Sequence, residues 1–210
     1  MSAHQQHDIT PEELDRHSEL NGRLGQAVRE LVDASVRTAV EADDMRRAIL
    51  EIEQITTRLR ESQLPGSFGR KMSSEGLPLY WGNAVVGLRN AIAPPLIVER
   101  DPSGNGNVHA EFELGAAYEG PPTLVHGGIC ALILDQLLGE AASAGGKPGF
   151  TGRLTVAYRE PTPLGKLRAE AWIDRSDGIK TWARGHIIGP QGVTVEAEGL
   201  FILPSWARKA

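Results

Sequence analysis

The residues best suited to chemistry lie in an apolar segment, TLVHGGICALILDQLLGEAASAGG, at positions 123–146. Asp135 stands in its middle, nine residues after the histidine of the sequence His126-Gly127-Gly128. A carboxylate among apolar residues costs free energy unless it is paired or faces a cleft. Asp135 is therefore either a structural acid with a hydrogen-bond donor, or a general base or nucleophile in a half-buried cleft.

The His-Gly-Gly sequence offers a second chemical group, the backbone amides of Gly127 and Gly128. At the start of a helix these N–H groups have no intrahelical acceptor, and the helix dipole adds partial positive charge. Because glycine has no side chain, a carbonyl oxygen can approach closely, which makes an oxyanion site. The alternative is that His126 only shapes the loop and caps the helix.

The spacing between these groups limits how they act together. Nine helical residues, at roughly 1.5 Å each, place Asp135 about 13 Å along the axis from His126. One helix therefore does not bring the amides and the carboxylate to the same carbonyl. Two antiparallel helices across a two-fold axis would do so, and a catalytic role predicts a homodimer with two shared sites.

The segment that holds these groups is predicted to be a helix from Gly127 to Ala144, since it is too long for a strand and Gly145-Gly146 provides a stop. Apolar residues cover almost all of its sides, which predicts burial on every side. Asp135 shares its face with small residues, where another backbone or a ligand can approach. These small residues are Gly128, Ala131, Gly139 and Ala142.

Two amphipathic helices are predicted ahead of this segment, after a disordered start at residues 1–9. The stretch Thr10-Pro11-Glu12-Glu13 is a helix-start signature, with a capping threonine and a glutamate three residues later. A second helix is predicted to begin near Asp43 and to end before Leu64. Both are interpreted as an appendage that covers the main domain or a subunit contact, with a partner-binding module as the alternative.

Strands dominate the rest of the chain. Residues 65–95 are predicted to be a long loop with a short strand near 84–88. The order is then two strands, the central helix and four hairpin-linked strands, which predicts an α+β fold with one helix against the concave face of an antiparallel sheet. The six strands are predicted at 96–101, 107–115, Arg153–Arg159, Lys166–Asp174, Lys180–Ile188 and Val193–Leu203.

The amino-acid composition favours a soluble globular protein over a nucleic-acid-binding or membrane-spanning one. The 210 residues are 40% hydrophobic and 23% charged, as in a soluble globular domain. A net charge of -5 disfavours sequence-blind binding to nucleic acid. The sequence predicts neither a membrane span nor a secretory signal, and its one cysteine, Cys130, allows no internal disulfide. A cytoplasmic enzyme or binding protein is expected.

Two stretches, GPPTLVHGGICALILDQLLG at 120–139 and VAYREPTPLG at 156–165, carry a family resemblance. His-Gly-Gly, an acid nine residues after the histidine and a strand ending in Tyr-x-x-Pro together resemble the acyl-CoA thioesterases of the hotdog fold. The nearest types are the phenylacetate-degradation type and the thioesterase superfamily member 4 type. The resemblance covers about residues 80–203.

The resemblance implies an antiparallel sheet wrapped around a central helix and hydrolysis of a fatty or aryl acyl-CoA. It also implies a homodimer, or a dimer of dimers or higher assembly, with sites at the interface. The chain then divides into a helical extension at 1–64, a linker at 65–83 and a hotdog thioesterase domain at 84–210.

The resemblance also assigns the catalytic residues. Asp135 is implied to act as general base on water or as nucleophile. The amide of Gly127 or Gly128, beside His126, is implied to polarise the thioester carbonyl, and Thr151 to position the water or the substrate. No metal and no separate cofactor are expected, because coenzyme A is part of the substrate.

The same resemblance places coenzyme A on Ala157 and Arg159 of one strand and on Ile179 and Lys180 after a turn. Two cations suit the phosphates of coenzyme A. The alternative for both cations is an ordinary solvated charge at the sheet edge.

Two other functions and one other nucleophile remain as alternatives. A hydratase or dehydratase of acyl thioesters typically pairs Asp and His within one strand-to-helix motif, and that pairing is absent here. A non-catalytic acyl-CoA-binding or regulatory protein would share the fold. Cys130, four residues after His126, could form a Cys–His nucleophile pair, although the sequence supplies no third group to orient the histidine.

Overall fold

The computed structural model describes residues 10–69, 71–72, 78–103, 105–144 and 149–208. The chain forms two compact units, one of residues 1–83 and 87–91 and the other of residues 84–86 and 92–210. The predicted disorder at 1–9 and the glycine stop at 145–146 lie outside the described residues.

The first unit contains two long helices. The predicted helix start at Thr10 is confirmed, because its hydroxyl accepts a hydrogen bond from the Glu13 N–H at 3.3 Å and its own N–H donates to the Glu13 carboxylate at 3.1 Å. No residue of the second helix is buried. The elements are α1 (Pro11–Arg37), α2 (Ala42–Arg60) and an antiparallel pair, β1 (Lys71–Met72) and β2 (Pro78–Leu79).

The strand predicted near residues 84–88 is wrong, because turns take up the backbone hydrogen bonds of this segment. The Asn83 N–H donates to the Tyr80 carbonyl at 2.8 Å, and the Arg89 N–H donates to the Trp81 carbonyl at 2.9 Å. A Cβ at Gly87 would lie 2.1 Å from the Asn83 carbonyl oxygen, so only glycine fits the turn.

The second unit is one antiparallel sheet with one α-helix, which confirms the predicted α+β plan. The strand order is β3-β4-β6-β7-β8-β5, so β5 is an edge strand next to the last strand of the chain. Short 3-10 turns lie at Ala116–Tyr118 and Ser205–Ala207. The elements are β3 (Glu99–Arg100), β4 (Val108–Leu114), α3 (Gly127–Ala142), β5 (Phe150–Tyr158), β6 (Gly165–Asp177), β7 (Lys180–Gly189) and β8 (Gly192–Ile202).

Three of the predicted strands differ from the observed ones by more than two residues at one end. Strand β6 continues to Asp177 rather than ending at Asp174. The strand predicted at 96–101 is reduced to β3, because the Leu96 N–H already donates to the Pro94 carbonyl at 2.7 Å and the chain joins β4 only afterwards. Strand β5 begins three residues earlier than predicted, since Phe150 still has a partner in Ile202 of β8.

Helix α3 packs across the sheet and fills the core. Ile133, Leu134, Leu137 and Leu138 have no exposed surface, and each such side chain contributes about 1.5–3 kcal/mol by burial. Leu138 lies over two strand glycines, since a Cβ at Gly185 or Gly199 would meet its methyl groups at 3.0 Å. Although α3 is apolar, no helix in the described part of the chain combines the length and hydropathy needed to cross a membrane.

Candidate active site

The N-terminus of α3 presents one amide without an acceptor. His126 is the N-cap, and its Nδ1 accepts a hydrogen bond from the Gly128 N–H at 3.0 Å. The capping role considered for His126 is therefore present, and it occupies one of the two candidate amides. Among the hydrogen bonds of the described residues, the Gly127 N–H has no acceptor. An approaching carbonyl oxygen would meet the Gly127 amide and the positive end of the helix dipole.

Tyr158 contacts the carbonyl group of the same glycine, Gly127. Its hydroxyl donates to the Gly127 carbonyl oxygen at 2.8 Å. A Cβ at Gly127 would lie 3.2 Å from the Tyr158 ring, so the absence of a side chain lets the ring approach. This tyrosine belongs to the Tyr-x-x-Pro pattern of the family resemblance, which predicted no role for it. The pattern marked the residue, and the contact holds the carbonyl of the Gly127–Gly128 peptide, next to the peptide that carries the Gly127 N–H.

Asp135 has a specific partner on β5. The Thr151 hydroxyl donates to Asp135 Oδ1 at 2.9 Å, which brings together two of the predicted site residues. Thr151 faces the helix because it is paired with the buried Phe201 of β8. The register of β5 shifts between Thr151 and Arg153, an irregularity that re-aims side chains at a strand edge.

The helix is not buried on every side, which corrects the sequence prediction. The sheet covers the face that includes Cys130, Ile133 and Leu137, and one sheet can cover only one side of a helix. The other face is partly or fully exposed, and Asp135 lies on it. Its members are Gly128, Ala131, Leu132, Asp135, Gln136 and Gly139. The partly exposed carboxylate is therefore accessible from outside the chain.

Gly127 and Asp135 do not meet within one chain. Eight residues of the continuous helix α3 separate them, about 12 Å along the axis. The two halves of the predicted site thus lie at separate points on one open helix face. The shared site across a two-fold axis remains a prediction, and the open face is the surface that it requires.

Comparison with known proteins identifies the family. No family model matches the chain. A crystal structure of a thioesterase superfamily protein is 36% identical, covers 87% of this chain and 94% of that chain, and has a TM-score of 0.75. This chain belongs to the thioesterase superfamily. The hotdog fold expected from the sequence is thereby confirmed.

Two further relatives of this thioesterase superfamily member are more distant. Acyl-coenzyme A thioesterase THEM4 of Xenopus laevis is 33% identical over 96 residues, which are 43% of this chain. The match spans only 42% of the length of the Xenopus protein. The E. coli PaaI protein of the phenylacetic acid degradation operon is 16% identical, covers 52% of this chain and 80% of that chain, and has a TM-score of 0.48, so it adds nothing to the assignment.

The residues assigned to coenzyme A form two separate groups in this thioesterase superfamily chain. Ala157 is paired with Glu196 near one end of β8, whereas Lys180 is paired with Ile202 at the other end. Glu196 and Ile202 are six residue steps apart along the strand, roughly 20 Å. Within one chain the two groups therefore lie at opposite ends of β8.

Arg159, the cation of the first group, already forms an ion pair with Glu196. Arg159 Nε lies 2.8 Å from Glu196 Oε2, and both side chains are about half-exposed. Ile179, at 38% exposed, lies in the turn between β6 and β7, and its carbonyl accepts from the Leu203 N–H at 2.8 Å. An anionic ligand at Arg159 would have to compete with Glu196.

A cleft of about 360 Å³ lies beside the free amide. It is lined in part by Gly127, Tyr158 and Arg159, so the oxyanion candidate and a cation open into one space. Two larger depressions, of about 550 and 440 Å³, lie on the outer face of the sheet around Arg168, which forms ion pairs with Glu111 and Glu170. Neither depression includes a residue predicted for the site.

Cys130 does not fit a nucleophilic role in this superfamily member. Its side chain is 1% exposed, and burial raises the pKa of the thiol. A raised pKa reduces the fraction of thiolate, which is the nucleophilic form. The Cys–His pair considered from the sequence therefore lacks both access and an activated sulfur.

The loop before His126 holds a strained residue. Thr123 has a φ of 68°, a left-handed conformation that is unfavourable for a β-branched side chain. Its N–H donates to the Glu119 carboxylate at 2.7 Å, and its carbonyl accepts from the Leu164 N–H at 3.0 Å. Two backbone bonds thus hold the strained residue three positions before His126.

We expect Thr123→Gly to raise the melting temperature by a few degrees, about 1 kcal/mol, because release of the strain outweighs the added flexibility of glycine. Both backbone bonds survive the change. Thr155→Gly, at an exposed position inside β5, is the control and should lower the melting temperature. Thermal unfolding followed by circular dichroism measures both, and an equal loss in the two variants would show that Thr123 carries no strain.

Proposed function

We propose that this chain hydrolyses acyl-CoA thioesters. The observation that carries the proposal is the hydrogen bond from the Thr151 hydroxyl to Asp135 Oδ1, on the open face of α3. The bond leaves Asp135 Oδ2 free of any partner among the hydrogen bonds of the described residues, and Thr151 fixes its orientation. A carboxylate held in this way is suited to take a proton from water or to attack a carbonyl carbon.

The electrophilic half of the site is the N-terminus of α3. The Gly127 amide would donate to the thioester oxygen and stabilise the negative charge that develops there in the tetrahedral intermediate. Tyr158 supports this role, because its bond to the Gly127 carbonyl limits rotation of the adjoining peptide. The Gly128 amide is the weaker candidate, since it already donates to His126 Nδ1.

The proposed reaction joins these two halves across a two-fold axis with a second copy. Asp135 of one copy takes a proton from water, and the water oxygen bonds to the thioester carbonyl carbon held at Gly127 of the other copy. The C–S bond then breaks, and coenzyme A leaves as the thiol when its sulfur receives the proton that Asp135 took from water. Direct attack by the Asp135 carboxylate on the same carbon is the other route, with water releasing the acid afterwards.

The two-copy arrangement would also unite the residues proposed for coenzyme A. Arg159 lines the Gly127 cleft and Ala157 lies two residues before it on β5, whereas Ile179 and Lys180 lie at the far end of β8. The proposal therefore takes the first pair from one copy and the second from the other. The name of the Xenopus relative, an acyl-coenzyme A thioesterase, supports this substrate class. A cytoplasmic location remains a prediction from the sequence.

A panel of thioesters tests the proposed function. The purified full chain is assayed with acyl-CoAs of increasing chain length and one aryl-CoA, and free coenzyme A is followed with a thiol reagent. We expect release of coenzyme A from at least one member. Binding without release across the panel would favour the acyl-CoA-binding alternative. Addition of water to an enoyl-CoA without release of coenzyme A would favour the hydratase.

A further inference from the structure

Helix α2 carries an apolar stripe that its own unit leaves exposed. Met45, Ile52, Ile55 and Leu59 are 42%, 37%, 44% and 48% exposed, and no residue of the helix is buried. Together with Ala48, these residues alternate steps of three and four, which is the spacing of the core positions in a two-stranded coiled coil. Because most helical stability in proteins comes from packing of an apolar face, this stripe requires a partner.

We propose that α2 pairs with α2 of a second copy, antiparallel across a two-fold axis. The charges beside the stripe support this choice. With Met45, Ile52 and Leu59 at the first core position of each heptad, Glu51 and Arg58 occupy the position just before it. In antiparallel pairs this flanking position faces the same flanking position of the other helix. An acid and a base one heptad apart then complement each other across the two-fold axis.

The register of the two helices follows from the packing of the apolar residues on the stripe. When Ile52 of one copy packs against Ile55 of the other, Ala48 packs against Leu59, and every apolar residue from Ala48 to Leu59 on the stripe has a partner. In this register Glu51 of each copy faces Arg58 of the other, so symmetry gives two ion pairs. Ile49 and Thr56 flank the opposite edge of the stripe.

Other arrangements lose this complementarity. A shift by one heptad in one direction places Arg58 opposite Arg58, and a shift in the other direction places Glu51 opposite Glu51, so like charges repel. The second shift also brings Arg58 opposite Asp44, but Asp44 already pairs with Arg47. In that shift Leu59 has no apolar partner. A parallel pair places Glu51 opposite Thr56, which carries no charge. The sequence of the stripe and its edges therefore selects one antiparallel register.

The side chains of Glu51 and Arg58 are not used in ion pairs within the described part of the chain, so they can form this contact. Two other arginines of the helix already have partners within it, since Arg46 pairs with Asp43 and Arg47 pairs with Asp44. Neither Glu51 nor Arg58 makes an ion pair among the described residues. The inference does not rest on the proposed enzymatic function, because α2 contains none of the residues proposed for the site.

Charge reversal tests the pairing through amide hydrogen exchange of α2 in the full chain. Glu51→Arg alone and Arg58→Glu alone each place like charges across the two-fold axis. We expect each to lower the protection of α2 amides about fivefold, since two symmetric pairs change from attraction to repulsion. Co-expression of the two variants restores opposite charges in mixed pairs, so the wild-type protection should return.

Glu53→Arg is the matched control, because it makes the same change in charge on the opposite face of α2. We expect its α2 amides to keep the wild-type protection. The proposal is overturned if the co-expressed variants stay as unprotected as each variant alone. Equal loss of protection in Glu53→Arg would overturn it as well, since the effect would then not depend on the pairing face.

Discussion

Asp135→Asn should lower kcat for acyl-CoA hydrolysis about a thousandfold, which is the range lost when a general base is removed. Asparagine has nearly the same shape and can still accept the hydrogen bond from the Thr151 hydroxyl, so the local geometry should survive. It cannot accept the proton of water or act as a carboxylate nucleophile. Because the loss would fall on the transition state, kcat and kcat/KM should decrease together.

The measurement is steady-state hydrolysis of the best thioester of the panel, with circular dichroism and light scattering as checks on fold and assembly. Glu140→Gln is the matched control, since it makes the same acid-to-amide change on the same helix, at a residue that pairs with Arg100. We expect the control to keep kcat within about threefold of the wild type, because it lies outside the proposed site. An active Asp135→Asn variant with intact fold would refute the role of Asp135.

Removal of the Gly127 amide should have the second largest effect. Gly127→Pro deletes the N–H at the first helical position, where proline is tolerated. His126 has φ -60° and ψ 130°, a conformation that accepts a following proline. We expect kcat to fall about a hundredfold to a thousandfold, the effect of losing one oxyanion donor.

Gly127→Ala separates the N–H from the added side-chain atoms. Both variants introduce a Cβ that meets the Tyr158 ring at 3.2 Å, and this exposed ring can shift by a few tenths of an ångström. Only the proline variant loses the donor. The ratio of their kcat values, with melting temperatures measured alongside, reports the amide alone. Equal kcat values would assign the oxyanion role to another donor.

Several parts of the fold followed from local pattern. The alternation of apolar and polar residues in β4 predicted its buried face and, to within one residue, its bounds, because a strand with one covered face has a period of two. The capping box at Thr10 predicted the start of α1, since the hydrogen bonds that form it lie within four residues. The strand predicted near 84–88 failed, because turns around Gly87 outweighed the apolar pair Val85-Val86.

The residues of the candidate site were predicted from the sequence, but the contacts between distant ones were not, because local patterns do not specify such contacts. Asp135, His126 and the two glycines stand out because their types and spacing are unusual within an apolar segment. Tyr158 had a place in the family pattern, yet its contact with Gly127 joins residues 31 positions apart and depends on where β5 passes the helix. The Gly128 amide donates to His126 whereas the Gly127 amide does not, and this difference depends on the rotamer of His126, which no sequence pattern specifies.

The sequence by itself determined the order of the strands and the central helix along the chain, and it singled out His126 and the isolated acid at Asp135, because each depends on neighbours within a few turns or one strand. Only the tertiary structure decided that Thr151 meets Asp135, since that contact depends on the pairing of β5 with β8 and on the shift of register after Thr151. It also decided that one face of α3 stays open, because the sheet reaches only the other side of the helix.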